Sequence, residues 1–350
     1  MIAQSTGSWV SCPGQTVSRM LWARGIDIAD FRTTLGWSEK QCDMLFDGSL
    51  HLDEQVASDL AKAIGPSESF WIQRELGYRK TATTTEGELL KQIPIREMIR
   101  LGWVKEEDSK PKLDAVLEFF GVSSAAEWVN YWRPAVFSST FKHTAAFESE
   151  LCSVAAWLRR GELLAENIEC HDWSDERALD AIPEIRKLTR IKHPEMFIPK
   201  LISICSLFGV AVVLEKSPCG CRATGATRWL SPSRALLLLS GRYRTDDHLW
   251  FAFFHELGHL VLHQRHKTHI EMTGNRTMLE DEADRFAQDA IVPPERWLEL
   301  SRLLTNPKSI ARFAASLGVS RGLIVGQLQH IGRLPHSELN WMKNRFQWAD

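Results

Sequence analysis

The chain lacks the features that mark membrane proteins and disulfide-bonded proteins. Its longest apolar run, around residues 250–254, is far shorter than the about 20 residues that cross a bilayer. The N-terminus carries no basic segment followed by an apolar one, which is the pattern of a secretory leader. The seven cysteines are odd in number and scattered, which favours reduced thiols over a disulfide framework. These absences predict a cytoplasmic protein with no membrane partner.

An excess of charge of either sign is also absent. The formal net charge is −2, with 25% charged and 44% hydrophobic residues, which is an ordinary soluble composition without large-scale disorder. A length of 350 residues is enough for two or more domains.

What the chain does contain is the pentapeptide His255-Glu256-Leu257-Gly258-His259, inside an apolar run of helical character. Residues four apart lie on one helix face, so His255 and His259 can direct two imidazole nitrogens at one Zn²⁺. Glu256 lies one position further round, where its carboxylate can take a proton from an attacking water. The alternative is a pair of ordinary core histidines. Burying these polar groups among apolar neighbours without a partner would be costly, so the pattern favours a zinc peptidase.

A catalytic zinc usually has three protein ligands, and three sources compete for the third. The metzincin pattern needs Gly and His where this chain has Leu262 and Arg265, so it is excluded. His263 is predicted to be carried along the helix axis, away from a metal held by the first two histidines, and so to pack or to support a ligand from behind. The best source is the next predicted helix, residues 278–293, in which Glu280 continues the apolar stripe and should point inward.

Asp284 follows Glu280 by four residues and can share its helix face. From there a carboxylate can accept the second ring N–H of a ligand histidine. This spacing resembles the third-ligand helix of thermolysin-like gluzincins. Asp281 and Glu282 fall elsewhere on the helix and are expected to face solvent. An ordinary surface position for Glu280 and Asp284 also remains open, because most charged residues are exposed.

Three segments, residues 255–263, 280–287 and 291–293, together resemble the ImmA/IrrE metallopeptidases. In that family the Glu of an E-x-x-A-N-x-F-A element is the third zinc ligand, which corresponds to Glu280. This chain departs from the family at Asp284, where Asn is frequent, but either side chain can accept a hydrogen bond. The resemblance implies cleavage or inactivation of an XRE-type repressor or antitoxin in response to stress, DNA damage or mobile-element signals.

The segment before the pentapeptide predicts a small α/β unit. Thr245 can cap the active helix, with Asp246 and Asp247 in its acidic first turn. Residues 194–300 are predicted to form a compact zincin-like core. Three short apolar runs within it are of strand length: 210–214, 226–230 and 235–239.

Catalysis also needs a donor for the oxyanion, and the sequence names candidates without choosing among them. Tyr243 and His263 are retained as candidates for oxyanion or substrate contact, although an ordinary structural role is the commoner one for each. The other candidates flank the active helix: Arg242, Arg244, His248, His266 and His269.

Residues 16–79 read as five short helices separated by glycines. Residues 28–38 resemble the first helix and turn of a helix-turn-helix, with Ser38 capping the second helix. With residues 45–48 and 70–78, the unit resembles the HigA-like branch of XRE domains. This resemblance implies DNA binding.

The charge of this region does not support that implication. Residues 1–80 contain eight Lys and Arg against ten Asp and Glu, a net charge of −2, whereas DNA binding usually leaves a basic footprint. The predicted recognition helix offers Lys40 and Gln41, but also Glu39 and Asp43, which phosphate would repel. Two interpretations remain. One is a weak or dimer-dependent operator binder, favoured by the resemblance, and the other is a former DNA-binding module now used for protein recognition.

The predicted fold class is α+β, mostly α, in several domains: a helix-turn-helix domain (1–80), a helical connecting domain (86–193), the peptidase core with a small sheet (194–300) and a helical tail (305–350). The Thr-rich stretch 81–85 is the predicted linker. The tail has a second helix-turn-helix rhythm, and packing on the core is favoured over holding substrate or DNA.

The sequence as a whole predicts a zinc-dependent regulatory endopeptidase fused to a DNA-binding-like domain. Its predicted partner is a repressor or antitoxin substrate, with operator DNA and a second copy of the chain as further candidates. Two rivals stay open. One is a transcriptional regulator or antitoxin with a sensory, weakly active or inactive peptidase fold, and the other is an interaction scaffold with a structural zinc.

Overall fold

The structure is a computed structural model, and it describes residues 12–48, 50–105, 111–136, 145–242, 244–263, 268–272 and 277–346. The chain divides into two compact units. Unit 1 comprises residues 1–91 and 124–127, and unit 2 comprises residues 92–123 and 128–350. The four domains expected from the sequence are a finer division and remain a prediction.

Unit 1 is helical, and its helix ends follow local sequence. Gly25 and Gly36 end the first two helices with φ of 65° and 67°, a left-handed conformation that glycine adopts without steric cost. Ser38 begins the third in a capping box with Gln41. The core contains the fully buried Trp71. In the residues of this unit that the structure describes, the helices are α1 Pro13–Arg24, α2 Ile28–Leu35, α3 Glu39–Asp47, α4 Glu54–Ile64 and α5 Glu68–Gln92.

The prediction of a linker at residues 81–85 is wrong, because the structure places this stretch inside α5. Threonine is a weaker helix former than alanine, but the cost per residue is only a few tenths of a kcal/mol. No proline occurs between Glu68 and Gln92 to end the helix. A Thr-rich composition without a helix-breaking residue is therefore not sufficient to predict a linker.

Unit 2 contains the remaining helices and the sheet. None of the helices in the described part of the chain is long and apolar enough to span a membrane. The helices, of which α8 begins in unit 1, are α6 Ile95–Arg100, α7 Lys112–Phe120, α8 Ala125–Val136, α9 Ala145–Ala165, α10 Asp175–Leu188, α11 Pro194–Ser206, α12 Asp246–Leu262, α13 Met278–Ile291, α14 Trp297–Ser301, α15 Pro307–Leu317 and α16 Arg321–His330.

Within the described residues, the sheet has four strands in the order β1-β3-β2-β4. Strands β1 and β3 are parallel, and β2 is antiparallel to both of its neighbours. The first three strands confirm the expected α+β class, whereas β4 was not predicted, because its four residues, HIEM, form no apolar run. The strands are β1 Val210–Glu215, β2 Ala223–Ser231, β3 Arg234–Ser240 and β4 His269–Met272.

Strand β3 is buried on both faces, as its unbroken run of leucines suggests. On one face Leu238 meets α9 at Gly161, where a Cβ would lie 2.7 Å from the leucine methyl, so glycine lets the helix approach. On the other face Leu237 and Leu239 join the core that contains α11 and α12. The sheet is thus covered by helices on both sides, and α12 is held against its inner face.

The N-terminal turn of α12 is held by the C-terminal segment of the chain. Asp246 accepts hydrogen bonds from the backbone N and side-chain Nδ2 of Asn344, both at 3.0 Å, and Asp247 forms an ion pair with Lys343 at 2.6 Å. Thr245 occupies the N-cap position but makes no side-chain capping bond. The two aspartates are therefore buried and bind tertiary partners.

The helical tail packs on this core, as its apolar pattern favoured. Gly318, with φ of 73°, ends α15, and Ser320 caps α16. Leu323, Ile324 and Leu328 of α16 are buried in the same core as α12.

Candidate metal centre

Helices α12 and α13 can pack closely because the pentapeptide contains a glycine. A Cβ built on Gly258 would lie 3.1 Å from Cβ of Phe286 on α13, which is tighter than an ordinary contact. Leu257, the other variable position of the pentapeptide, is buried in the core. Leu257 therefore packs α12 into the core, and Gly258 allows α13 to approach α12 closely.

Three predicted ligands converge where the two helices meet. The Nε2 atoms of His255 and His259 are 3.0 Å apart, and Oε2 of Glu280 lies 3.0 Å from His255 Nε2. Its other oxygen, Oε1, is 3.6 Å from His259 Nε2. The three ligand atoms lie close enough together to hold one metal ion. Two imidazoles and a carboxylate are a donor set that catalytic zinc sites use, so the residues fit this metal.

The electrostatics of the cluster suit a divalent cation. Burial lowers the pKa of His259, which favours the neutral imidazole that a metal requires. Burial raises the pKa of Glu280, but hydrogen bonds from His255 and His259 outweigh it and bring the pKa to about 2. Near neutral pH the cluster therefore offers a neutral imidazole and an ionised carboxylate.

Asp284 lies behind His255, where the sequence placed it. Its Oδ1 is 2.8 Å from the Nδ1 of His255, on the opposite side of the ring from Glu280. A carboxylate at this position accepts the Nδ1–H and leaves the Nε2 lone pair for a metal.

His263 lies behind the second histidine. Its Nδ1 is 2.9 Å from Nδ1 of His259, and its Nε2 is 3.1 Å from Oε2 of Glu282. The prediction that the helix carries His263 along its axis, away from the other histidines, is wrong. Helix α12 ends at Leu262 and His263 has extended backbone, with φ −108° and ψ 164°, so its ring turns back. Glu282, expected to face only solvent, is half-exposed and also contacts His263.

His269 is brought to the same place by β4. Its ring stacks on His259, with centroids 4.6 Å apart, and lies 5.4 Å from His263. These three imidazoles form a second group in the described chain with the spacing of a metal site, and it shares His259 with the first. Sequence reasoning named His269 without locating it, because β4 was not predicted.

Glu256 is fully buried beside the ligands, under strand β2. A Cβ built on Gly225 of that strand would clash with Oε1 of Glu256, so only glycine leaves room for the carboxylate. Sequence reasoning missed Gly225, although a glycine inside a strand signals close approach of another group.

The other candidates from the sequence lie away from this cluster or outside the described residues. Tyr243 and His266 fall outside the described residues, and His248 is exposed near Thr245. In unit 1, Lys40 is exposed on α3, whereas the Gln41 amide oxygen accepts hydrogen bonds from Ser38. DNA binding by this unit remains a prediction.

Comparison with known families supports the peptidase assignment. The model of the IrrE N-terminal-like domain, Peptidase_M78, matches residues 212–328. The matched range contains His255, Glu256, His259 and Glu280 and supports a metallopeptidase-type function. No curated protein matches the chain.

Proposed function

We propose that the chain is a zinc-dependent endopeptidase in which His255, His259 and Glu280 hold the metal. The observation that supports this proposal is the convergence of the three ligand atoms beside the buried Glu256. When bound, zinc would supply Lewis acidity, which polarises the peptide carbonyl and lets a water molecule lose a proton near neutral pH.

Glu256 acts as the general base in this proposal. It follows ligand His255 directly on α12, and strand β2 closes over it at Gly225. Its carboxylate takes the proton of the attacking water and passes it to the nitrogen of the leaving amine. Tyr243 is the candidate donor to the oxyanion.

The outer residues orient the ligand rings. Asp284 accepts the Nδ1–H of His255. His259 donates its Nδ1–H to Nδ1 of His263, which in turn donates from Nε2 to Glu282. Each ligand ring then presents its Nε2 lone pair to the metal. These contacts favour a positioning role for His263 over contact with the oxyanion or substrate.

The proposed substrate is a repressor or antitoxin of the XRE type, in a stress-response or toxin–antitoxin setting. This part of the proposal is supported by the likeness of residues 16–79 to XRE domains and of the metal-centre segments to ImmA/IrrE peptidases. Operator DNA and a second copy of the chain are proposed as further partners of unit 1.

The test compares the zinc-loaded full chain with its Glu256→Gln variant on the co-encoded XRE-type protein and on a mixed peptide library. We expect the variant to keep its zinc, measured by mass spectrometry of metals, and to lose cleavage by about 100-fold or more. Glu166→Gln, at an exposed position, serves as the matched control and should retain both zinc and cleavage. Zinc-loaded wild type that cleaves neither substrate would contradict the proposal.

The second candidate is a regulator or antitoxin whose peptidase fold senses metal without cutting. The resemblance of residues 28–38 to the first helix and turn of a helix-turn-helix, with a short break between α2 and α3, favours it. In that case the Glu256→Gln variant regulates its target as the wild type does. For DNA contact, salt-dependent retention of promoter DNA that ignores Lys40→Ala and Gln41→Ala removes the recognition-helix hypothesis.

A further inference from the structure

A cavity of about 260 Å³ lies next to the metal centre within unit 2. Phe251 of α12 lines it, and its ring centroid is 6.4 Å from that of the ligand His255. Thr224 of β2 also lines it and directly precedes Gly225, which lies against Glu256. The cavity therefore lies one turn of α12 from the ligand His255, and its wall includes the strand residue next to Gly225.

The distance along α12 between Phe251 and His255 matches the repeat of an extended peptide. Phe251 precedes His255 by four residues, which corresponds to about 6 Å along a helix. Two residues of an extended chain span about 6.6 Å. A substrate whose scissile carbonyl lies at the metal centre can therefore place a side chain within two residues of that bond in the cavity.

The walls favour a large apolar side chain over a lysine side chain. Phe251, Ala252, Ile291 and Leu323 provide apolar surface, as in most small-molecule pockets. The carboxylate in the wall, Asp247, is neutralised by its ion pair with Lys343. A lysine side chain would lose hydration here without gaining an unpaired carboxylate.

Polar groups also line the cavity, among them Gln329 and three histidines, and a further polar group refines this preference. Gln327 lines the cavity and is 3% exposed, and its Oε1 has no hydrogen-bond partner in the part of the chain that the structure describes. A buried amide left in this state is destabilising, and an O–H or N–H from a ligand would relieve it. Tyrosine and tryptophan combine a large apolar body with such a donor.

We propose that this cavity is the specificity subsite of the peptidase and takes a tyrosine or tryptophan side chain within two residues of the cleaved bond. The assignment rests on the proposed peptidase function. Thr224 and Gln327, which line the cavity, determine selectivity and take no part in proton transfer.

Binding is tested first, without turnover, in the zinc-loaded Glu256→Gln chain. The probes are the N-acetyl amides of tyrosine, tryptophan, phenylalanine, alanine and lysine, titrated by NMR. We expect the tyrosine and tryptophan probes to bind at least tenfold more tightly than the alanine and lysine probes. Equal binding of all five would overturn the assignment.

Two variants in the same background locate the probe. Thr224→Phe fills the cavity and should weaken binding of the aromatic probes about tenfold, whereas Ser231→Phe, an exposed position on the same strand, should not. Gln327→Leu should remove the preference for tyrosine over phenylalanine while preserving zinc content and folding. Unchanged binding in both Thr224→Phe and Gln327→Leu would place the probe elsewhere and overturn the assignment.

Cleavage of a mixed peptide library by the wild type separates the two proposals. Enrichment of tyrosine or tryptophan at one position within two residues of the cut supports the subsite, and Thr224→Phe should shift that position to small residues. Cleavage with no enrichment overturns the subsite and leaves the peptidase function standing. Absence of all cleavage overturns the peptidase function and with it the subsite role, even where the aromatic probes bind.

Discussion

Each ligand histidine of the metal centre is held from behind by a different partner. Asp284 contacts Nδ1 of His255 directly, whereas Glu282 reaches His259 only through His263. Such outer partners set the tautomer and orientation of a ligand ring, and their loss typically weakens metal binding about 10–100-fold. The asymmetry makes the His259 side the more informative one to test.

His263→Phe keeps the ring volume and removes both nitrogens. We expect zinc affinity, measured by competition with a chromophoric chelator, to fall about 10–100-fold, because His259 loses the acceptor for its Nδ1–H. Glu282→Leu should act in the same direction, and Glu282→Gln, which still offers an acceptor, should restore most of the affinity. The exposed Asp281→Asn serves as the control. Wild-type affinity in His263→Phe would rule out the positioning role.

Gly225→Ala tests the space above the general base. The added methyl group would clash with Oε1 of Glu256 and displace the carboxylate. We expect kcat/KM to fall about 100-fold with zinc content unchanged, because misplacement of a catalytic group by about 1 Å can have this effect. Gly241→Ala is the control, since its Cβ would meet its nearest neighbour at 3.8 Å. Equal activity of the two variants would show that Glu256 does not need this space.

At the scale of the element, α12 is held at its start as well as at its ligands. Burial is the main cause of the raised pKa of Asp246, which is about 6 after the lowering effect of hydrogen bonds from Ser320 and Asn344 and the raising effect of the neighbouring Asp247 are included. The anchoring of α12 therefore depends on pH through a group that lies outside the metal centre.

Asp246→Asn should expose this dependence in the metal-free chain. The folded-state pKa exceeds the ordinary value of 3.8, so the contribution of Asp246 is complete below pH 3.8 and is lost as pH rises through about 6. We expect the unfolding free energy of the wild type, relative to Asp246→Asn, to fall by about 3 kcal/mol between pH 3.5 and 7. Urea unfolding measures it, with Asp281→Asn as control. A difference independent of pH would contradict the raised pKa.

The elements differ in how far their sequences predicted them. The periods of α12 and α13, and the apolar runs of β1 to β3, were sufficient to predict helices and strands. Strand β4 was missed, because it is a short edge strand without an apolar run and is defined by its pairing with β2. The Thr-rich stretch 81–85 was misjudged as a linker because composition does not report whether a helix continues.

At the scale of the whole molecule, a bound metal would join α12 to α13 within unit 2. The ligands come from both helices, so binding to the native state alone should stabilise it. At free zinc about 1,000 times the dissociation constant, the gain is about 4 kcal/mol.

Chelation should therefore lower the unfolding midpoint of unit 2 by about 10 °C in differential scanning calorimetry. Glu280→Ala should remove the zinc-dependent shift, and the exposed Glu166→Ala should retain it. The group His259, His263 and His269 offers a rival location for the ion. A full zinc-dependent shift in Glu280→Ala would favour that location and contradict the assigned ligand set.

The sequence by itself determined which residues are the candidate metal ligands, because the roles proposed for them depend on local spacing. His255, Glu256 and His259 take their relative places from the period of one helix, and Glu280 and Asp284 from the period of another. The apolar residues around both stretches predicted that these polar groups would be buried.

Only the tertiary structure decided what surrounds them. The hydrogen bond between Asp246 and Asn344 joins residues 98 positions apart, and Gly225, His269 and the cavity at Gln327 reach the centre from separate elements. No local period encodes such contacts, because they depend on how strands and helices pack after they form. The candidate metal ligands could therefore be named from the sequence, whereas their support and the proposed specificity subsite required the fold.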